Sequence, residues 1–355
     1  MLSGPAAAMH FGYSSARVKA MESRLISKKT MQEIINAKDA SSIIAILFKE
    51  DYKNDLEEFG GLEIKEEMID FALSKNLAKN VAKLVQISPT TERKLMRAIE
   101  GKWDLYNVKI VIEAKDRGAS YESIARYLMD YGIYNLAFVR EVMREDSIEG
   151  IIGKCMINSP YSGILREALD SYKKSRNAID AVATIDRQYY KALGSVITGL
   201  RVMAMNSART LKMDIDMKNI MLLIKAKRAD MKFGDISGNI IGNGNISSHE
   251  LEQVYNGSKD IPSMVSQIKQ YDLKEATDMF TKGRNQLLLF EISMRNALFK
   301  MSSRLLNHRI LTFGTILAYA YMKEIEVFTL RILINSKIYG LSREEVQRLI
   351  IWKSE

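Results

Sequence analysis

The chain has 355 residues, and its 52 lysines and arginines outnumber its 43 aspartates and glutamates, which gives a formal net charge of +9. This length can form two or three domain-sized cores, and a hydrophobic content of 47% with 27% charged residues excludes a mainly disordered chain. Only four prolines are present, although average usage predicts roughly 18 in a chain of this length. Because proline interrupts long helices, the deficit predicts an all-α protein.

Apolar residues follow the helical repeat from the first part of the chain onward. In the first fifty residues they recur at Ile34, Ile35, Ile43, Ile44 and Leu47. Strict alternation of apolar and polar residues is nearly absent, which argues against strands. Pro89, Pro160 and Pro262 each lie beside a serine, and these pairs predict boundaries between helices.

Three segments of the chain are similar to one another. They read DLYNVKIVIEAK at 104–115, DMKNIMLLIKAK at 216–227 and EVFTLRILINSK at 326–337. An acid opens each segment, a lysine closes it, and an apolar triplet lies between them. The offsets are 112 and 110 residues. Since a solenoid unit has about 20 to 50 residues, these periods predict triplication of a whole helical subdomain.

The repeats predict three helical units, at 1–103, 104–215 and 216–355. Subdomains with similar packing surfaces can close into a ring-like body with pseudo-threefold symmetry. In such a body, one buried acid-to-lysine helix would recur in each wall.

Two further signals lie between and after the repeats. The glycine-rich stretch that begins GDISGNIIGNG predicts a loop over 234–246, inserted in the third unit. Ser247 with Glu250, and Ser342 with Glu345, have the spacing of capping boxes, so each serine is expected to start a helix.

The sequence gives no sign of secretion or of a membrane span. Its N-terminus lacks a charged region followed by an apolar one, so we expect no secretory signal. The longest apolar run, from Ile310 to Met322, has 13 residues, whereas a spanning helix needs about 20. The single cysteine, Cys155, excludes an intramolecular disulfide and indicates a reducing cytosolic compartment.

No catalytic pattern is evident in the sequence. The histidines are too far apart for a local metal motif; they are His10, His249 and His308. Gly194 and Gly199 have the spacing of a P-loop, but Leu200 and Arg201 replace the lysine and hydroxyl residue that bind phosphate and magnesium. We therefore expect no covalent chemistry and no metal or cofactor. An enzyme whose site the linear sequence does not reveal is the least favoured class.

Basic residues concentrate in two regions. Residues 201–232 carry eight basic residues against three acidic ones, and residues 17–38 carry six against two. Such density suits nucleic acid, anionic lipid headgroups or an acidic protein face, or it is an ordinary solvated helix surface. A basic helical adaptor or nucleic-acid-binding protein is therefore the alternative interpretation, although no RRM, KH or zinc-finger signature accompanies the charge.

The order of these segments resembles one known family. The opening YSSARVKAMESR at 13–24 is similar to the start typical of the C subunit of archaeal A-type ATP synthases, whose eukaryotic relative is the d subunit of the V-type ATPase. The segments at 104–115 and 216–227 resemble that family's repeated wall helices. The stretch EVFTLRILINSKIYGLSREEVQRLI at 326–350 resembles its closing segment, so the resemblance covers essentially the whole chain.

This resemblance implies a funnel of three similar helical subdomains around a central cavity. The implied partners are the proteolipid rotor ring of the membrane sector and the shaft made by the D and F subunits. The implied role is that of a non-catalytic central-stalk subunit, peripheral at the cytoplasmic face of the membrane, that couples ion translocation to ATP synthesis or hydrolysis. No cofactor and no nucleic-acid partner are expected.

Six basic residues are candidates for contacts with partner subunits or with an anionic membrane surface. They are Arg17, Lys19, Arg24, Lys225, Lys227 and Arg228. The first three belong to the opening segment, and the last three lie at the end of the second repeat. The alternative for each is an ordinary solvated helix surface.

Overall fold

The structure is a computed structural model. It describes residues 5–61, 66–199, 205–274, 277, 286–308, 311–342, 345–346 and 349–350. All regular secondary structure in these ranges is helical, and they contain no strand. The prediction of an all-α protein is therefore confirmed.

The helices follow one another along the whole described chain. They are α1 (Pro5–Glu22), α2 (Lys28–Asn36), α3 (Ala40–Leu47), α4 (Lys53–Glu58), α5 (Glu66–Ile87), α6 (Thr90–Asp116), α7 (Tyr121–Ile124), α8 (Leu136–Val142), α9 (Ile148–Met156), α10 (Ser162–Ser175), α11 (Ala178–Gly199), α12 (Met205–Arg228), α13 (Phe233–Ile236), α14 (Ser248–Asn256), α15 (Ile261–Ser266), α16 (Gln286–His308) and α17 (Phe313–Ile338). Short 3-10 helices follow α7 and α13, at Ala125–Tyr127 and Ser237–Asn239.

The chain divides into two compact units. The first unit combines Met1–Ile43 with Ile197–Glu355, and the second unit is Ile44–Val196. These borders do not coincide with the predicted ones after residues 103 and 215. The division into three similar subdomains and the funnel with a central cavity stay predictions.

Polar caps fix where many of the shorter helices begin. At each of these positions the side-chain oxygen accepts a hydrogen bond from the N–H three residues later, a donor that the first turn leaves unpaired. The capping residues are Ser27, Ser120, Asn135, Ser147, Ser247 and Asp260.

The two predicted capping boxes are also present. The N–H of Ser247 donates to Glu250 over 2.7 Å, and the N–H of Ser342 donates to Glu345 over 2.9 Å. In each pair the serine hydroxyl accepts from the N–H of the glutamate in return. The predicted hydrogen bonds are therefore present at both serines, and at Ser247 they cap α14.

Helix α17 lies in the core of the first unit. Every side chain of its first ten residues is buried, and the helix packs against α16, α1 and α12. The apolar run predicted from Ile310 to Met322 falls mostly on this helix, although Ile310 lies outside the described residues. Within the described ranges, no helix is both long enough and apolar enough to cross a membrane.

The glycine-rich segment after α12 differs from the predicted irregular loop. Residues 233–239 form α13 and a 3-10 helix, and the irregular part begins only at 240. Phe233 and Ile236 are buried, and their burial stabilises one helical turn despite the turn-forming residues around them. The second unit has the same order of helices 112 residues earlier, in α7 and the turn after it. The prediction of a loop inserted over 234–246 is therefore wrong for its first half. The segment is also not an insertion, because the second unit has an equivalent one.

Candidate functional site

Helices α6, α12 and α17 carry the three repeated segments, and each ends in the same way. The second residue after each helix has a left-handed backbone, with φ of 65° at Gly118, 53° at Asp230 and 66° at Gly340. The next N–H then bonds to the carbonyl five residues earlier, in the pairs Ala119–Ala114, Met231–Ala226 and Leu341–Ser336. These hydrogen bonds satisfy carbonyls that the helix end leaves unpaired. The sequence repeat therefore corresponds to a repeated local structure.

The opening acid of the first copy, Asp104, is buried in the second unit and binds a loop. Its Oδ1 accepts hydrogen bonds from the N–H groups of Ile133 (3.0 Å) and Tyr134 (3.5 Å). Its Oδ2 accepts a hydrogen bond of 2.9 Å from the Tyr161 hydroxyl. Because a buried carboxylate is unfavourable without donors, these contacts explain how the core holds an acid.

The opening acid of the second copy makes the same contacts within the first unit. The carboxylate of Asp216 accepts hydrogen bonds from the N–H groups of Asn245 (3.0 Å) and Ile246 (3.1 Å), and Tyr271 donates its hydroxyl proton to the same group. The two N–H groups follow the acid by 29 and 30 residues, as they do in the first copy. Each acid thus anchors the loop that leads into a capped helix, α8 in one copy and α14 in the other.

The third acid, Glu326, binds the N-terminal part of the chain instead. Its Oε2 accepts a 2.6 Å hydrogen bond from the N–H of Ile26, which directly precedes the Ser27 cap of α2. Its Oε1 lies 2.8 Å from Nζ of Lys323, and both side chains are completely buried. A loop before a capped helix is therefore bound in all three copies, and in the third copy it comes from the opposite end of the sequence.

In the first two copies, an asparagine also forms hydrogen bonds with the loop that the acid binds. Asn107 donates to the carbonyl of Met129 (2.7 Å) and accepts from its N–H (2.9 Å). Asn219 exchanges two hydrogen bonds of 2.8 Å with Ile241 in the same way. Thr329 replaces the asparagine in the third copy and donates to a carbonyl of its own helix. The sequence difference at this position therefore marks the copy whose loop is supplied from elsewhere in the chain.

The bound loops approach the acids too closely for a side chain. A Cβ atom at Gly132 would lie 1.9 Å from Oδ1 of Asp104, and one at Gly244 would lie 2.1 Å from Oδ1 of Asp216. Gly132 also has a φ of 70°, which side chains rarely adopt. The sequence pattern indicated Gly244 only as part of a loop, whereas the structure makes it a contact residue of the buried acid.

The first copy carries a second carboxylate beside its buried acid. Burial raises the pKa of both Asp104 and Asp216, and the hydrogen bonds that they accept partly offset this effect. Glu100 lies one helical turn before Asp104, and burial together with the charge of Asp104 raises the pKa of Glu100 to about 7. Position 100 corresponds to Lys212 in the second copy. The carboxylate pair therefore distinguishes the first copy from the second.

The closing lysines differ among the copies. Nζ of Lys227 donates to the carbonyl of Tyr255 (2.9 Å), and Nζ of Lys337 donates to the carbonyl of Ile35 (3.3 Å). A cation at the end of α14 or α2 satisfies a carbonyl that the helix leaves unpaired. The side chain of Lys115, the closing lysine of the first copy, makes no hydrogen bond or ion pair with any residue that the structure describes.

The six candidate partner-binding residues all lie in the first unit. Three belong to the last turn of α12, and three belong to α1 or the turn after it. The exposed ones are Arg17, Arg24, Lys225 and Arg228. Lys19 and Lys227 are part-buried, and Nζ of Lys19 donates to the carbonyl of Leu306 (3.1 Å). Their role in partner binding stays a prediction.

A charged cluster between α16 and α17 was not predicted from the sequence. Arg295 pairs with Glu291 (2.8 Å) on α16 and with Glu324 (3.6 Å) on α17, and its guanidinium lies 4.0 Å from the ring centre of Phe328. The four-residue spacing of Arg295 and Glu291 is typical of exposed helix surfaces. Nothing in the linear sequence therefore indicated that Arg295 also contacts Glu324 on the next helix.

Among the described residues, no group of three histidine, cysteine, aspartate or glutamate side chains is arranged to hold a metal ion. Cys155 is buried, and burial raises the pKa of its thiol to about 12, so the reactive thiolate is disfavoured. The backbone carbonyl of Cys155 accepts a 2.6 Å hydrogen bond from the hydroxyl of Tyr134.

Comparison with known proteins confirms the resemblance seen in the sequence. The ATP synthase (C/AC39) subunit family model matches residues 14–349. The A-type ATP synthase C subunit of Thermoplasma acidophilum is 24% identical over 348 residues, which cover 95% of this chain and 97% of that protein. The C subunit of Archaeoglobus fulgidus is 24% identical over 347 residues, or 96% of each chain. That of Methanothermobacter thermautotrophicus is 26% identical over 345 residues, or 92% of this chain and 84% of that protein.

Proposed function

This chain belongs to the ATP synthase (C/AC39) subunit family, and on that premise we propose that it is a non-catalytic central-stalk subunit. In this role it sits on the proteolipid ring, peripheral at the cytoplasmic face of the membrane, and holds the end of the shaft made by the D and F subunits. Rotation of the ring then turns the shaft and couples ion translocation to ATP synthesis or hydrolysis in other subunits. The relatives that support this proposal are named as C subunits of A-type ATP synthases.

The observation that carries the proposal is how firmly the N-terminal segment is fastened within the first unit. A subunit that transmits torque has to move as one rigid body. The N–H of Ile26 is bound by the buried carboxylate of Glu326, and the carbonyl of Ile35 is bound by Lys337. Helix α1 also packs directly on α17. Hydrogen bonds to buried charged groups are among the strongest in proteins, so the contact between Ile26 and Glu326 resists displacement under load.

The second unit is fastened by the same type of contact. Asp104 holds the loop that precedes α8, and Nζ of Lys109 lies 2.5 Å from Oδ1 of Asp186, which connects α6 to α11. Polar contacts of this kind fix a specific arrangement of helices in addition to the apolar packing. These contacts therefore favour rigidity within each unit, which the coupling role requires.

We also propose that the six basic residues of the first unit contribute to partner binding. The four exposed ones lie at the surface, where an acidic protein face or anionic headgroups can attract basic side chains. Lys19 and Lys227 have their ammonium groups engaged internally, so we expect smaller effects from these two.

Binding measurements with the separate partners test the proposal. The full chain is titrated with a purified D–F complex and with detergent-solubilised proteolipid ring, each at low and high salt. We expect binding to both, no ATPase activity of the chain alone, and binding weakened by at least about tenfold in Arg24→Glu or Arg228→Glu. The matched control is Arg166→Glu, an exposed charge on α10 of the second unit. Binding to neither partner, together with salt-sensitive binding to nucleic acid, would favour the adaptor interpretation instead.

A further inference from the structure

The second unit contains a cavity of about 460 Å³ at the end of α6. Its walls are the last turn of α6, the turn into α7 and the end of α8. Three lining side chains are basic, Lys115, Arg140 and Arg144, and one is acidic, Glu122. The lining therefore has a net charge of +2 and favours an anion.

The first unit has the same backbone arrangement 112 residues later but fills it with side chains. There Tyr255 occupies the position of Met143, its ring packs 5.8 Å from that of Phe233, and its hydroxyl donates to the carbonyl of Met231 over 2.6 Å. Met231 in turn occupies the position of Ala119. Smaller side chains in the second unit thus leave an opening where the first unit has a packed aromatic pair.

The positive charge is also specific to the second unit. Arg140 and Arg144 correspond to Glu252 and Asn256 in the first unit. The lysine that corresponds to Lys115 donates to a backbone carbonyl, whereas Lys115 has no such partner among the described residues. An open cavity and a lysine side chain without a partner among the described residues therefore occur together in this copy.

Two acids near these cations, at the end of α8 and in the turn after it, are paired with another lysine. Glu141 and Glu145 both bind Lys154, at 3.2 and 3.0 Å. The guanidinium of Arg140 lies 4.8 Å from the ring centre of Tyr121, and this stacking holds its donor groups in place. Glu141 and Glu145 are thus engaged with Lys154, and Tyr121 holds Arg140 at the cavity.

Backbone groups at the end of α8 do not oppose an anion strongly either. The carbonyls of Val139 and Val142 accept hydrogen bonds from the N–H groups of Met143 and Glu145 in the following turn. Carbonyls that are already paired present less negative potential than free helix ends do. These two carbonyls therefore add little negative potential to the net positive charge of the lining side chains.

We propose that this cavity binds a phosphate group, carried either by a small phosphorylated molecule or by a lipid headgroup. Guanidinium groups bind phosphate oxygens in a bidentate manner, and a lysine adds a point charge. The volume lies within the range of small-molecule sites. The inference is independent of the proposed coupling role, because none of the charged lining residues is among the six partner candidates.

Calorimetric titration of the full chain with inorganic phosphate and with pyrophosphate, at constant ionic strength set by chloride, tests the proposal. Saturable binding is expected, weakened by at least about tenfold in Lys115→Met and in Arg144→Met. The matched control is Arg117→Met, which removes a charge at the same helix end from a residue that pairs with Glu113 and does not line the cavity. Glu122→Gln removes the single lining acid and is expected to tighten binding.

A second arm distinguishes the two sources of phosphate. The same variants are sedimented with phosphatidylcholine vesicles that contain phosphatidic acid. Binding of soluble phosphates alone identifies a small phosphorylated ligand, and binding of vesicles alone identifies a lipid headgroup, in both cases lost with Lys115 and Arg144. Absence of saturable binding in both arms, or an equal loss in Arg117→Met, overturns the proposal. These outcomes involve neither the ring nor the D–F complex, so they are separate from the test of the coupling role.

Discussion

The carboxylate of Glu326 accepts a hydrogen bond from the backbone N–H of Ile26, although the two residues lie 300 positions apart in the chain. The same carboxylate is paired with Lys323, and neither charged side chain is accessible to solvent. The third repeated helix is thus joined to the N-terminal segment through a buried ion pair. In the other two copies, the loop bound by the acid follows it by about 30 residues.

Removing this carboxylate is expected to destabilise the first unit strongly. Glu326→Ala leaves Lys323 buried without its counter-charge, and breaking a buried pair in this way costs about 3 to 5 kcal/mol. Urea unfolding measures the loss of free energy. Hydrogen exchange is expected to increase most in residues 26–36, which lose the contact at Ile26.

The double variant Lys323→Met with Glu326→Gln separates the effect of charge from that of packing. Because it removes both charges together, we expect it to recover more than about half of the loss. An equal loss in the single and double variants would show that the ion pair is not what holds the segment.

Substitutions at the left-handed residues after the repeated helices are expected to change the free energy of unfolding in opposite directions. Asp230 adopts φ of 53° where the other copies have Gly118 and Gly340. Asp230→Gly is expected to stabilise the protein by about 0.5 to 1 kcal/mol, because glycine adopts this conformation without strain and a negative charge leaves the end of α12. Gly118→Ala has open space around its Cβ and should cost about 1 kcal/mol through backbone strain alone.

Thermal or urea unfolding measures the change in stability of each variant, which is expected to be a gain in Asp230→Gly and a loss in Gly118→Ala. The pair is informative because the hydrogen bonds around the two positions are the same. Destabilisation by Asp230→Gly would mean that the Asp230 side chain makes a stabilising contact that outweighs its backbone strain.

The repeated helices could be predicted from sequence because their signals are local. The acid, the closing lysine and the apolar triplet lie within one segment of twelve residues, and the serine caps lie three residues from their partners. The family resemblance depended on the same segments. The helices and their serine caps could be predicted because they depend on contacts within a few turns.

The contacts between segments could not be predicted in the same way. Nothing in the segment at 326–337 indicates that Glu326 binds Ile26 and not a later loop, because that choice is made by tertiary packing. The helical turn at Phe233 was also missed, since the glycines around it suggested a loop, whereas the burial of Phe233 and Ile236 stabilises a helical turn. Closing lysines that look equivalent in sequence differ in the structure because the side chains around them differ.

The close approach of glycine to the buried acids gives a further prediction. Gly244→Ala places a Cβ about 2.1 Å from Oδ1 of Asp216, so the carboxylate or the loop has to move. Displacing hydrogen bonds from a buried charged group costs about 1.5 to 3 kcal/mol each, and we expect a loss of at least about 2 kcal/mol in urea unfolding.

Gly153→Ala is the matched control for this substitution. It lies within α9, and a Cβ there meets no atom within 4 Å. Alanine is favoured over glycine inside helices by about 0.5 to 1 kcal/mol, so this variant should be as stable as the parent or more stable. Similar losses in both variants would contradict a specific contact at Asp216.

The carboxylate pair on α6 predicts a pH dependence of stability in the second unit. The pKa of Glu100 is raised from its ordinary value of 4.5 to about 7 by burial and by the charge of Asp104. Folding therefore takes up a proton between these two values, and stability falls as the pH rises from about 4.5 to about 7. Solvent screening of this half-exposed carboxylate reduces the effect to about 1 kcal/mol.

Glu100→Gln is neutral at every pH and removes this contribution. We expect the variant to match the parent near pH 4 and to be more stable by about 1 kcal/mol near pH 8, measured by urea unfolding. Glu113→Gln, an exposed position on the same helix, controls for loss of one negative charge from α6.

If Glu100→Gln keeps the full pH dependence of the parent, the titrating group is Asp104, whose pKa is raised by its own burial. That result would assign the pH dependence of stability to the buried acid common to the repeats, and not to the second carboxylate that distinguishes the first copy.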